Sequence, residues 1–217
     1  MGGMERVIDI TGAIKRLGWT LEWKKINKPV NRNAPWYIMV EGADGAGKSS
    51  LAELFYDTIK KAGAPVRLYH EPFYPQGLPE KPTAEDYQLD RERWYASHQP
   101  DNRTQIVSDR SLFSTLAYNP CPPEVVKRMT EWLDSPAYFG SYNRCLILLH
   151  PDEQTLLERL KNRQNEGIPL DALEVDRSLQ AEVSDRYLSL AKNPPFRVDV
   201  TLILKPRHKW HWRNLWK

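Results

Sequence analysis

Residues 42–49 read Gly42-Ala43-Asp44-Gly45-Ala46-Gly47-Lys48-Ser49, matching the pattern G-x-x-x-x-G-K-[ST] at every required position. The spacing has a chemical reason. Glycines let the main chain curl until successive N–H groups face a polyphosphate, and a helix opening at Lys48 turns its positive dipole end toward the same anion. In that arrangement Lys48 reaches the β- and γ-phosphates of ATP and the Ser49 hydroxyl sits on Mg²⁺. Gly42, Asp44, Gly45, Ala46, Gly47 and Ser50 complete the nucleotide-binding loop. The flanks agree with this reading. Residues 36–40 form a short apolar run of strand type, and 50–55 continue as a helix with Leu51, Leu54 and Phe55 on one face.

Working outward, strand-like runs alternate with helical patterns. Strands are predicted at 36–41, 66–70, 104–108, 144–149 and 198–204. Helices are predicted at about 48–62, 83–98, 111–118, 123–134, 152–166 and 172–192. That alternation implies an α/β fold, a five-stranded parallel sheet with helices on both faces. Ligands of such sheets collect beyond the carboxyl ends of the strands, so the loops after 41, 70, 109 and 149 are the ones to search. Residues 1–35 read as a basic extension, a helix at 4–17 followed by a basic linker at 24–33. The main domain spans 36–204, with a lid near 159–176, and 205–217 form a tail.

At 217 residues and 41% hydrophobic content, the chain can bury one sizeable core. It contains no run of about 18 apolar residues and no apolar leader, which predicts a cytoplasmic protein without a membrane partner. The two cysteines, Cys121 and Cys145, show no metal spacing and suit a reducing compartment. The net charge of +3 conceals a division: +4 over 1–35, +5 over 205–217 and −6 between them. Five of the eight tryptophans (Trp19, Trp23, Trp210, Trp212 and Trp216) lie in those two ends.

The strand-end loops carry further chemistry. After the second predicted strand comes His70-Glu71-Pro72-Phe73-Tyr74-Pro75, and after the third Asp109-Arg110-Ser111-Leu112-Phe113-Ser114. The helix after the fourth carries Arg159, Lys161 and Arg163. Each is weak alone, since a Glu-Pro is commonly a turn and a cationic helix face is commonly solvated. Beside a P-loop they form a phosphoryl-transfer set. Asp109 suits Mg²⁺, Arg110 offers a planar fork of donors to the acceptor, and Arg159 and Arg163 suit a closing lid that stabilises transferred charge. Glu71 is the candidate base if a hydroxyl is attacked; a phosphate acceptor needs none. Tyr74, Gln88, Arg91 and Tyr118 are candidate contacts to the acceptor base, against the plainer reading of core or surface residues.

These residues resemble the thymidylate kinase and deoxyribonucleoside kinase families over about 36–204. Glu41-Gly42-Ala43-Asp44-Gly45-Ala46-Gly47-Lys48 is very close to the thymidylate kinase P-loop, and Leu157-Glu158-Arg159-Leu160-Lys161-Asn162-Arg163 is similar to the lid helix of both families. The resemblance implies a P-loop nucleotide kinase fold and an ATP- and Mg²⁺-dependent transferase. It also implies that Asp44 contacts the sugar 3′-hydroxyl of the acceptor. Gly45 stands where one thymidylate kinase subgroup has an arginine, which moves the catalytic arginine to the lid. Asp109-Arg110-Ser111 and 168–170 lean toward the nucleoside kinases, in which the Glu71 equivalent is the base for the 5′-hydroxyl. His70 and 73–75 depart from the thymidylate kinase pattern.

The expected acceptor is a small thymidine-type deoxynucleoside or deoxynucleotide. The tail at 205–217 interleaves cations with aromatics, a mixture suited to following a phosphate backbone while stacking on bases. Two alternatives follow from it. One is a kinase of 5-hydroxymethyluracil within DNA, as in viral DNA hypermodification; the other is a nucleic-acid-binding P-loop NTPase. The plainer reading packs those tryptophans on the core or on the mate in a homodimer.

Overall fold

The computed structural model describes residues 19–71, 78–170 and 176–206. The helix expected at 4–17, Tyr74, residues 171–175 of the lid and the tail from 207 lie outside the described residues. In chain order the elements are β1 (Trp19–Ile26), β2 (Trp36–Glu41), α1 (Lys48–Lys61), β3 (Val66–His70), α2 (Ala84–Ser97), β4 (Gln105–Asp109), α3 (Leu112–Tyr118), α4 (Pro123–Asp134), β5 (Asn143–Leu149), α5 (Glu153–Asn165), α6 (Arg177–Lys192) and β6 (Val200–Pro206).

The sheet has six strands in the order β1-β6-β5-β2-β4-β3. Five run parallel, as the alternating pattern requires. The sixth corrects the five-strand expectation: β1 pairs antiparallel with β6, from Trp19 opposite Pro206 to Ile26 opposite Val200. Part of the segment read as extension and linker therefore belongs to the sheet. Its charge concealed it. Trp19 is buried, but Glu22, Lys24 and Lys25 are exposed, and charged side chains are a common means of blunting an edge strand against further pairing. Helix α6 likewise starts later than the pattern suggested, because the Asp176 side chain caps it by accepting from the Leu179 N–H at 3.0 Å.

Both faces of the sheet are covered, so its central strands are largely apolar and buried; all seven residues of β5 are buried, Asn143 and Arg144 among them. The twofold alternation of β2 sorts the core. Tyr37 and Met39 pack with residues of α2, α3, α4 and α6, while Ile38 and Val40 pack with Leu51, Phe55 and Ile59 of α1. Register brings the functional loops together. Val40 pairs with Asp109, and Asp109 with His70, so the segments after β2, β4 and β3 leave from one row. Among the described residues no helix is long and apolar enough to cross a membrane.

Candidate active site

The P-loop joins β2 to α1, and its shape depends on glycine at two places. Gly47 precedes α1 in the left-handed region at φ 96°. At Gly42 a β-carbon would stand 2.5 Å from the Leu149 carbonyl oxygen, so the loop can lie against the end of β5 only without a side chain. Lys48 is buried and folds back along the loop, donating from Nζ to the Ala43 carbonyl at 2.9 Å and lying 3.6 Å from Asp44. Burial, and next the Arg110 charge, bring the Lys48 ammonium down to about 8 against the opposing pull of Asp44, Asp109 and Glu41.

Ser49, in the first turn of α1, donates from Oγ to Asp109 Oδ2 at 2.6 Å, and His70 Nδ1 lies 3.2 Å from the same oxygen. Asp109 Oδ1 is buried and has no hydrogen-bond partner among the described residues. A hydroxyl and a carboxylate with a spare oxygen, next to a phosphate loop, suit Mg²⁺, which takes few protein ligands and completes its shell with water and phosphate.

The next residue, Arg110, has φ 71°, the one positive value at a non-glycine among the described residues. Such a backbone costs on the order of 1–3 kcal/mol and persists where its surroundings over-determine it. Here the Arg110 N–H donates to the Val40 carbonyl at 3.0 Å and Ser108 Oγ donates to the Arg110 carbonyl at 2.6 Å. The twist turns the guanidinium to the P-loop, where it ion-pairs with Asp44 and lies over the Tyr118 ring. Tyr118 donates from its hydroxyl to the other Asp44 oxygen at 2.7 Å. Burial pushes the Asp44 carboxyl up, yet Lys48, Arg110 and Tyr118 together hold it below the usual range.

Glu71, Gln88 and Arg91 form a second group. A capping box at Thr83 and Asp86 starts α2, and the three-residue spacing sets Gln88 and Arg91 on one face. Arg91 donates to Glu71 Oε2 from Nε at 2.8 Å and Nη2 at 2.6 Å, and to Gln88 Oε1 from Nη1 at 3.2 Å. Gln88 Nε2 in turn donates to Glu92 at 3.0 Å. Burial raises the Glu71 carboxyl above its ordinary value, although Arg91 opposes the rise.

The two arginines expected on a lid, Arg159 and Arg163, lie on α5. Arg159 donates from Nη1 to the Ala46 carbonyl at 2.7 Å, so it touches the P-loop from outside, and Arg163 lies one turn further on. Leu156 and Leu160 of the same helix pack on Ala43.

Glu41 is a site residue that the sequence reading quoted without giving it a part. Fully buried at the end of β2, it accepts from Ser111 Oγ at 2.6 Å and from Ser114 Oγ at 2.7 Å, and Ser114 also meets the Tyr187 hydroxyl at 2.8 Å. Burial pushes its carboxyl up to about 7 against the two serine hydrogen bonds. An acid at the last position of an otherwise apolar strand was the available signal.

The arrangement can cradle a polyphosphate, hold a divalent cation and present a second substrate between Asp44, Arg110, Glu71 and Arg91. No protein-family profile matches the chain. Among curated proteins it is similar to a probable thymidylate kinase of Metallosphaera sedula, 33% identical over 181 residues, 77% of this chain and 86% of that one. A thymidylate kinase of Trichormus variabilis is 27% identical over 196 residues, 80% of this chain and 92% of that one. A solved structure of deoxyadenosine kinase from M. mycoides with bound dCTP covers 76% of this chain and 88% of that one, at 16% identity and a TM-score of 0.42.

Proposed function

The chain belongs to the thymidylate kinase family, and we propose that it transfers the γ-phosphoryl group of ATP to a thymidine-type acceptor, with thymidine monophosphate as the first choice. It is a phosphotransferase of the nucleotide kinase type. The observation that carries the acceptor reading is the row of charged groups at adjacent strand ends. Lys48 lies 3.6 Å from Asp44, Asp44 pairs with Arg110, Ser49 bonds Asp109, and Glu71, whose N–H donates to the Asp109 carbonyl at 2.9 Å, pairs with Arg91. Plain hydrolysis needs no such second compartment.

Phosphoryl transfer is chiefly a matter of position and charge. The loop amides and Lys48 hold the triphosphate. Ser49 and Asp109 would hold Mg²⁺, which neutralises phosphate charge when bound. Arg110 aims the acceptor, and Asp44 takes a sugar hydroxyl proton as a hydrogen bond. Arg163, on α5 one turn beyond Arg159, is the arginine assigned to the charge on the transferring group. With a monophosphate acceptor, a phosphate oxygen forms the new P–O bond as the bond from the γ-phosphorus to the bridging oxygen of ATP breaks. The products are a diphosphate and ADP. With a 5′-hydroxyl acceptor, Glu71 takes the proton.

One observation favours a second reading. The pairing of Trp19 with Pro206 sets Pro206, the last described residue before the basic, tryptophan-bearing tail, at the P-loop end of the sheet. A flanking segment of that composition suits an acceptor hydroxyl carried on DNA, such as that of 5-hydroxymethyluracil. Radiolabelled ATP, offered in parallel to thymidine monophosphate, thymidine and hydroxymethylated DNA, decides. Label in thymidine diphosphate supports the first reading and label in DNA the second. ATP hydrolysis unchanged by every acceptor overturns both.

A further inference from the structure

We infer that the edge strand β1 serves the phosphate loop: Trp19 is a positioning residue that acts through Arg159 on the peptide between Ala46 and Gly47. The inference rests on the donor-triphosphate reading of that loop.

Trp19 is 1% exposed and belongs to the same packed cluster as Ala46, Ile38 and Leu51. The Arg159 guanidinium lies over its indole ring, 5.2 Å from the centroid, and donates from Nη1 to the Ala46 carbonyl at 2.7 Å. An indole face attracts a guanidinium and fixes its plane, which a lysine in the same place would not provide. A trans peptide directs its C=O and N–H to opposite sides. Holding the Ala46 oxygen toward α5 therefore turns the Gly47 N–H the other way, into the concave side of the loop where a phosphate is cradled. Gly47, at φ 96°, has no side chain to limit that peptide's rotation, so an outside hold on it has something to do.

The contact also gives β1 a purpose beyond lengthening the sheet. The strand starts at Trp19, opposite Pro206, at the end of the sheet from which the P-loop leaves. Its first residue sets an aromatic ring against the Arg159 guanidinium.

The experiment uses the full chain and reads ATP binding by calorimetry, with thymidine monophosphate KM, kcat and thermal midpoint recorded beside it. Trp19→Leu keeps an apolar side chain and removes the π face; Arg159→Lys keeps the charge and removes the fork. Each is expected to weaken ATP binding about five- to tenfold while leaving the acceptor KM within twofold. Trp19→Phe, which keeps a ring, is expected to restore most of the loss. The double variant Trp19→Leu/Arg159→Lys is expected to be no worse than the poorer single variant, since both cut one chain of contacts. Unchanged ATP affinity in Arg159→Lys overturns the inference, as does strict additivity in the double variant. So does a Trp19→Leu protein whose ATP and acceptor constants worsen together with its thermal midpoint. Wild-type protein that binds no ATP overturns the donor reading itself, and this inference with it.

Discussion

Arg91 donates from both Nε and Nη2 to one oxygen of Glu71, Oε2, and leaves Oε1 buried without a partner among the described residues. A guanidinium fork that used both oxygens would leave Glu71 no free acceptor. The uncommitted oxygen points to chemistry. We predict that Glu71→Gln slows transfer to a nucleoside 5′-hydroxyl by about 10²- to 10⁴-fold and leaves transfer to a monophosphate nearly intact. Steady-state kinetics with thymidine and with its monophosphate check this. Because burial raises the Glu71 carboxyl above its ordinary value against the pull of Arg91, the base ionises at higher pH than a free glutamate does. An acidic limb shifted upward should appear with thymidine and vanish in Glu71→Gln.

The same pair makes a stability prediction. Glu71→Ala strands a buried guanidinium, and removing one partner of a buried pair costs about 3–5 kcal/mol. Urea unfolding at neutral pH should show a loss of that order, with Arg91→Met partly rescuing it in the double variant.

Lys48 bears on donor binding. Its ammonium is brought down to about 8 in the unliganded protein, so its charge is present below that pH and lost as pH rises through it. ATP should bind about tenfold more weakly at pH 9 than at pH 7, and binding above pH 8 should take up a proton. Calorimetry in buffers of different ionisation heat measures both. Lys48→Ala should lower kcat by about 10²-fold or more and remove the proton uptake.

The metal reading predicts that EDTA stops transfer and that added Mg²⁺ restores it. Asp109→Asn keeps the hydrogen bond from Ser49 within reach but loses the charge that a hard cation requires. The Mg²⁺ concentration at half-maximal rate should rise about 10-fold or more, with little change in the thermal midpoint. A variant that keeps wild-type Mg²⁺ dependence counts against Asp109 as a ligand.

Glu41 gives a prediction about pH and stability. Its carboxyl rises from 4.5 to about 7 on folding, so the folded protein prefers the protonated acid. The contribution is favourable below pH 4.5 and is lost as pH rises through 7, where an ionised carboxylate must be kept in the core. Glu41→Gln removes that dependence. Between pH 5 and pH 8 the stability difference should move in favour of the variant by up to about 3 kcal/mol, read from urea unfolding at the two values.

Much of this molecule could be read from local signals. The P-loop, the strand before it and the helix after it are specified by residues within one short stretch, since glycine conformations and apolar periodicity act between near neighbours. The parallel order was legible for the same reason, from strand and helix patterns that alternate. β1 was not. Trp19, Trp23 and the charged Glu22, Lys24 and Lys25 make a strand only when β6 is there to pair with, and no nearby residue announces that partner.

The site divides in the same way. The amino-acid order by itself determined which groups stand at which strand ends: Lys48 and Ser49 after β2, Glu71 after β3, Asp109 and Arg110 where β4 finishes. Tertiary structure alone decided how they meet, with Arg110 turned onto Asp44 and Tyr118, Arg91 paired to Glu71, Glu41 enclosed by two serines, and Arg159 laid between Trp19 and the phosphate loop. The reason is physical. Turns and periodicity are settled by contacts a few residues apart, whereas Arg91 meets Glu71 across 20 residues of chain and Arg159 meets Ala46 across 113. They exist only once the order and register of the strands have brought their ends into one row.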